Sequence, residues 1–368
     1  MNNKTKNILV SVLFCLFIVG GFFICILKPM DDFSINERRE LKKFPKITWS
    51  SILDTSWMKD FEDYTLDQFP LRDTFRELKA FTHYFVFGQK DNNDIYLVGD
   101  VVSKLEYPLR EEQILHAANR FEAMYEKFFA DTDANMYYSI IPDKNYFIAE
   151  ENGYPALDYD KLLSLMKENM TDFSYIDIFD KLSIDDYYRT DTHWKQECLA
   201  GVVDTLSSAM GVRDQISDEF TAITHAPFYG VYYGQAALPL TPDTLTYLTN
   251  DILEGCIVTN YETGKVGTVY DLEKLTSHDP YEMYLSGPIS LMTIENPAAA
   301  TDRELVIFRD SFGSSIAPLL VSAYSKITLV DIRYIVPDYI ERFVDLSSAD
   351  DVLFLYSTLV LNNANTLK

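Results

Sequence analysis

The sequence predicts an α/β fold, a mainly parallel sheet flanked by helices, placed behind an N-terminal membrane anchor. Three observations lead there. Short, nearly unbroken apolar runs at Met136–Ile141, Leu305–Phe308, Ile327–Val330 and Val352–Tyr356 read as strands buried on both faces. Segments with apolar residues at helical intervals lie between them, as at Glu111–Ala130 and Ser314–Tyr324. A single uncharged apolar run, Ile8–Leu27, stands ahead of everything else.

That run has the length of a membrane span: about 20 residues at a rise of 1.5 Å match a hydrocarbon core of roughly 30 Å. Phe22 to Leu27 offer no small-x-small cleavage site, so an uncleaved anchor is expected rather than a removed signal. Lys4 and Lys6 precede the run and should stay cytoplasmic, which puts the rest of the chain outside. Residues 1–29 are thus a cytoplasmic tip and anchor.

Residues 30–90 mix charge with aromatics. Phe61, Tyr64, Phe69, Phe75, Leu78, Phe81 and Phe85 recur at roughly helical spacing, with Pro70 dividing the stretch. This predicts amphipathic helices packing on the main domain, with a membrane-surface or partner-binding role as the alternative.

The α/β pattern occupies 91–368. Ile95–Val98 reads as a strand, Glu111–Ala130 as a helix with Ile114, Ala118, Phe121, Tyr125 and Phe128 on one stripe, and Met136–Ile141 as a strand ended by Pro142. A helix at Tyr159–Met170 leads to a strand at Ser174–Ile178, and a helix at Lys195–Met210 closes at Gly211. From about 212 to 296 the chain is rich in Tyr, Thr, Gly and Pro and carries β-like runs at Gly230–Leu240 and Cys256–Leu272, expected as a β-rich insertion. Strand, helix, strand and strand then follow at Leu305–Phe308, Ser314–Tyr324, Ile327–Val330 and Val352–Tyr356.

Composition narrows the function. A content of 47% hydrophobic residues in 368 supports a substantial core. The net charge of −24, from 56 acidic and 32 basic residues, repels phosphate backbones and argues against nucleic acid as a partner. Cys15 and Cys25 lie inside the apolar run, and Cys198 and Cys256 have neither CxxC spacing nor clustered histidines, which argues against a metal site. Buried free thiols are the default for that pair, a disulfide between them is the alternative, and no cofactor is expected.

In an open α/β sheet the chemistry sits beyond the carboxyl ends of the strands. The strand Leu305–Phe308 runs into Asp310, Ser311, Phe312 and Gly313 and then a helix, which exposes the Ser311 hydroxyl beside backbone N–H groups. In Thr190–Asp191–Thr192–His193–Trp194, Asp191 and His193 are two apart and project to one side of an extended segment. Asp191 can then hold one imidazole nitrogen while the other takes a proton from serine. A helix cap at Ser311 and a structural histidine at 193 are the plainer alternatives.

Taken together, TDTHW, DPYEMYLSG (Asp279–Gly287), FRDSFGSSIAPLL (Phe308–Leu320) and VDIRY (Val330–Tyr334) resemble the DHHW family. That family is similar to the SGNH-hydrolase-like domains of alginate O-acetyltransferases, whose triad runs Asp, His, Ser along the chain. NERRELKKFP, DQFPLRD and IPDKNY resemble further blocks of the same group. The resemblance implies an SGNH-hydrolase-like fold with Ser311 as nucleophile, His193 as base and Asp191 as its orienting acid. It also implies oxyanion donors at the Ser311 amide and near Gly287 or Thr358. Two departures stand out. Thr192 separates Asp191 from His193 where the family has adjacent histidines, and Arg309 replaces the glycine of a GDS block, an expected cation near the pocket mouth.

The resemblance implies an extracytoplasmic acyl-ester enzyme, an O-acetyltransferase or esterase acting on a cell-surface polysaccharide. A transferase would draw acyl groups from a membrane-bound O-acyltransferase, since no acetyl-CoA is present outside. A catalytically silent glycan-binding or envelope-assembly protein is the second class.

Overall fold

The computed structural model describes residues 2–368 and divides into two units. One comprises the chain up to Asn92 together with Gly234–Pro239, the other Asn93–Tyr233 with Leu240–Lys368.

In the first unit, Asn3–Leu27 (α1) is a continuous helix long and apolar enough to cross a membrane. Thr48 caps the short helix Trp49–Leu53 (α2) in a capping box with Ser51, as its hydroxyl accepts from the Ser51 amide. Ser56–Asp67 (α3) and Arg72–Phe81 (α4) follow, parted at Pro70 as the sequence predicts, and a π-helical turn at Thr82–Val86 extends α4. The aromatic stripe expected to bury itself is largely exposed at Phe75, Leu78, Phe81 and Phe85. A buried carboxylate ties this unit together: Asp67 takes Arg39 in a two-pronged ion pair at 2.5 and 2.8 Å and the Lys42 amide at 2.9 Å.

The second unit is organised by one eight-stranded sheet. Its strands are Asn135–Ile141 (β1), Ser174–Tyr175 (β2), Ile257–Asn260 (β3), Lys265–Gly267 (β4), Leu291–Glu295 (β5), Glu304–Arg309 (β6), Lys326–Val330 (β7) and Asp351–Ser357 (β8). Their order is β4-β3-β5-β7-β6-β8-β1-β2. Strands β7, β6, β8, β1 and β2 are mutually parallel, in the register Phe308↔Phe354 and Phe354↔Tyr138. The four runs that predicted buried strands are therefore the centre of one sheet. The fold is α/β, a mainly parallel sheet flanked by helices, as the sequence predicts.

Alternation along the strands builds two cores. Leu305, Ile307, Leu353 and Leu355 face one, while Val306, Phe308, Val352 and Phe354 face the other. Because both faces are covered, these strands are apolar throughout rather than alternating with polar residues. Glu111–Phe128 (α5) and Tyr159–Asn169 (α6) cover the second face, and Ala200–Ala209 (α7) with Gly313–Leu320 (α8) cover the first.

Three expectations change. The 212–296 stretch is not merely an insertion, because β3, β4 and β5 continue the central sheet by antiparallel pairing onto β7. Within Gly230–Leu240, read as β-like, Val231–Ala236 is helical. The helix predicted from Lys195 begins as a 3₁₀ turn, Gln196–Cys198, before α7. Cys198 and Cys256 are free thiols.

Candidate active site

The carboxyl ends of β1, β6 and β8 converge on one place. Beyond β6, Asp310 accepts from the Phe312 amide at 3.0 Å and, with its other oxygen, from the Ser357 amide at 2.8 Å. This carboxylate shapes the turn into α8 and pins it to the end of β8. Gly313 is required at that turn, since a β-carbon there would stand 2.6 Å from Cβ of Arg309. Ser311 sits on this turn, partly exposed, and its amide has no hydrogen-bond partner among the described residues.

Asp191 and His193 lie on a tight loop closed by the Tyr187↔Trp194 bridge. The loop is clamped from two sides. Backbone amides of Tyr232 and Tyr233 donate to the Thr190 carbonyl at 2.9 and 3.1 Å, and the Val231 amide donates to Asp191 Oδ2 at 2.7 Å. Gly230 allows this approach, because a β-carbon would come within 2.2 Å of the Thr190 carbonyl. From beneath, Lys144 Nζ donates to the carbonyls of Val102, Tyr188, Arg189 and Asp191 at 2.5 to 3.0 Å. Burial pushes Lys144 down to about 7, while the charges of Asp191 and Asp243 act the other way. The surrounding oxygens are acceptors only, which favours the ammonium form.

The sequence-predicted trio meets here. His193 Nδ1 lies 2.6 Å from Asp191 Oδ1, and His193 Nε2 lies 2.7 Å from Ser311 Oγ. An ionised carboxylate only accepts, so Nδ1 carries the proton and Nε2 presents its lone pair to the serine hydroxyl. Tyr281 stacks on the imidazole with centroids 3.8 Å apart and planes at 10°, and Phe312 packs against it at 4.9 Å. The Tyr281 hydroxyl and Trp194 Nε1 both bond Ser315 Oγ, at 2.9 and 2.8 Å, tying the histidine loop to the first turns of α8. Asp191 is 1% exposed and His193 8%, so the pair works in a low-dielectric setting that strengthens both bonds.

The other predicted site residues are placed differently. Arg309 is no cation at a pocket mouth. It ends β6 with 0% exposure, and its guanidinium folds back onto the carbonyls of Ile289 and Asp310 at 3.3 and 3.4 Å. Burial lowers its pKa, with Asp331 opposing. Gly287 occupies a left-handed conformation, φ 88°, and its amide is used by the Tyr284 carbonyl at 3.3 Å. The Thr358 hydroxyl donates to buried Asp143 at 2.7 Å and accepts from the Asp143 amide. Neither group is an open oxyanion donor, leaving the Ser311 amide as the candidate. Sequence reasoning assigned no role to Lys144, Asp310 or Tyr281, although each lies inside a block it had singled out. A lysine directly after a buried strand and its Pro142–Asp143 turn was the available signal for Lys144. Among the described residues no three His, Cys, Asp or Glu side chains converge as metal ligands.

Solved structures share this architecture. A DHHW family protein from Eubacterium siraeum superposes with a TM-score of 0.59 over 75% of this chain and 95% of that one, at 18% identity. The chain has the fold of a DHHW family protein. Bacillus cereus PatB1 is similar as well. Its structure with a sulfonyl adduct matches at a TM-score of 0.57 and 19% identity over 74% of this chain and 97% of that one. A second PatB1 structure gives 0.55 and 16%, over 73% and 97%. No protein-family model matches the sequence, and no curated protein matches it.

Proposed function

We propose that this chain is an acyl-ester enzyme, an O-acetyltransferase or esterase that works on a cell-surface polysaccharide from the outer side of a membrane anchored by Asn3–Leu27. The observation that carries the proposal is the continuous line from Asp191 through His193 to Ser311 Oγ, at 2.6 and 2.7 Å. In this reading Nε2 removes the hydroxyl proton as Oγ attacks an acyl carbonyl, giving a tetrahedral oxyanion beside the Ser311 amide. His193 returns that proton to the leaving oxygen, and the acyl group stays on Ser311. A sugar hydroxyl or water then gives its proton to Nε2 and takes the acyl group, and Nε2 passes that proton to the departing Oγ, which restores the serine. With a sugar acceptor the chain is a transferase, and a membrane-bound O-acyltransferase is the partner that delivers the acyl group. With water it is an esterase.

A second reading, a silent glycan-binding or envelope-assembly protein, draws on the same site. It is favoured by the engaged donors at Gly287 and Thr358, which leave the oxyanion with a single amide.

The two part in one assay. Purified full-length chain is offered an acetylated glycan, and released acetate and acetylated acceptor are measured. Enzymatic turnover that disappears in Ser311→Ala supports the enzyme, and glycan binding without turnover in the native chain supports the silent protein.

A further inference from the structure

The helix α4 turns the wrong side outward for a helix in water. Phe75, Leu78 and Phe81 recur every three residues on one stripe that Phe85 continues, and they are 51%, 58%, 52% and 66% exposed. The opposite side carries Arg72, Arg76 and Ala80 and faces into its own unit. Ala80 is fully buried, Arg72 is paired with Glu37, and Arg76 lies 3.5 Å from Glu37 and donates to the Gly234 carbonyl at 3.0 Å. A soluble amphipathic helix does the reverse, burying its apolar stripe and solvating its charges. Here ion pairs hold the charged side down and a contiguous aromatic strip is left on the surface, the mark of an interaction site.

The start of α4 is also fixed close to where the chain leaves α1. Asp31 lies four residues beyond Leu27, and four extended residues reach at most ~14 Å. The Asp31 amide donates to Gln68 Oε1 at 2.9 Å, and Gln68 Nε2 donates to the Asp31 carbonyl at 2.9 Å and the Lys42 carbonyl at 3.1 Å. Gln68 is buried and stands four residues before Arg72. A two-way amide pairing therefore ties the exit of the apolar helix to the root of α4.

From this arrangement we infer that the outward face of α4 lies in the headgroup boundary of the bilayer that α1 crosses, its aromatic strip toward the acyl chains. Lipid is the occupant the observations favour. The helix that carries the strip is rooted at Gln68, which is hydrogen-bonded to Asp31 just beyond α1. It is covalently joined to α1, and phenylalanine and leucine over a charged reverse side are the composition of an interfacial helix. The inference rests on the reading of Asn3–Leu27 as a span.

The test uses full-length protein in nanodiscs of phosphatidylethanolamine and phosphatidylglycerol, with Cys15, Cys25, Cys198 and Cys256 replaced by alanine. Single spin labels are attached at Leu78→Cys, Phe85→Cys, Glu77→Cys and, inside α1, Leu16→Cys, and collisions with oxygen and with a water-soluble nickel chelate are compared. Labels at 78 and 85 should meet oxygen several-fold more readily than nickel, with the preference reversed at 77. Nickel accessibility at 78 and 85 equal to that at 77, while the label at 16 reports hydrocarbon, would overturn the inference. A label at 16 that also reports water would remove the span itself, and the inference with it.

Discussion

His193 and Ser311 are separated by 118 positions in the chain, yet Nε2 of one lies 2.7 Å from Oγ of the other. That distance is within the range of a hydrogen bond and of direct proton transfer. Under the proposed function, His193→Ala is expected to lower turnover by about 10²–10⁴-fold while leaving the fold intact. Asp191→Asn should approach the same loss, because an amide nitrogen turned toward Nδ1 favours the tautomer whose Nε2 proton faces the serine. Turnover of each variant against wild type, with near-ultraviolet circular dichroism as the folding control, checks both.

Asp310 bonds two buried amides on different elements, those of Phe312 and Ser357. Asp310→Ala leaves both unpaired at a cost of about 1–3 kcal/mol per group. It should lower the unfolding midpoint and also loosen the Ser311 turn, so that chemistry is impaired below that midpoint. Thermal unfolding and turnover at a temperature where the variant is folded separate the two effects.

Lys144→Met removes the donor shared by four backbone carbonyls under the Asp191 loop. The expected result is a loss of stability and faster amide hydrogen exchange across residues 187–193, together with slower turnover although Asp191, His193 and Ser311 are all unaltered. Unchanged exchange in that loop would mean that the amides of Val231, Tyr232 and Tyr233 hold it without help.

Acid should act on the N-terminal unit through Asp67, which Arg39 holds below the usual carboxylate range. A carboxylate with a lowered folded-state pKa stabilises at pH above its ordinary value of about 4, and that contribution disappears as pH falls through the lowered value. Hydrogen-exchange protection around residues 39–42 and 60–72 should therefore fall as pH drops below about 4. Asp67→Asn should be less protected at neutral pH and show a flatter acid limb.

Much of this was legible in the sequence, and the reason is burial. Val306–Phe308 and Val352–Tyr356 are covered on both faces, so apolar continuity alone identified them as central strands. The pairing of Asp191 with His193 followed from local spacing, and their meeting with Ser311 was anticipated by a resemblance rather than by periodicity. What stayed hidden depended on tertiary detail. Arg309 could not be read as buried, because a charge at the end of a strand normally turns to solvent, whereas here the missing β-carbon of Gly313 leaves room beside it. The outward strip of α4 was hidden for a related reason: its spacing shows an amphipathic helix but not which face the Glu37 ion pairs hold inward.

The measurement that tests the central claim most directly is the location of a sulfonyl adduct. Full-length protein is treated with an aryl sulfonyl fluoride and the modified residue is identified by peptide mass spectrometry. The account predicts one dominant adduct, on Ser311, formed slowly or not at all in His193→Ala. Modification that spares Ser311, or that proceeds at the wild-type rate without His193, would contradict it.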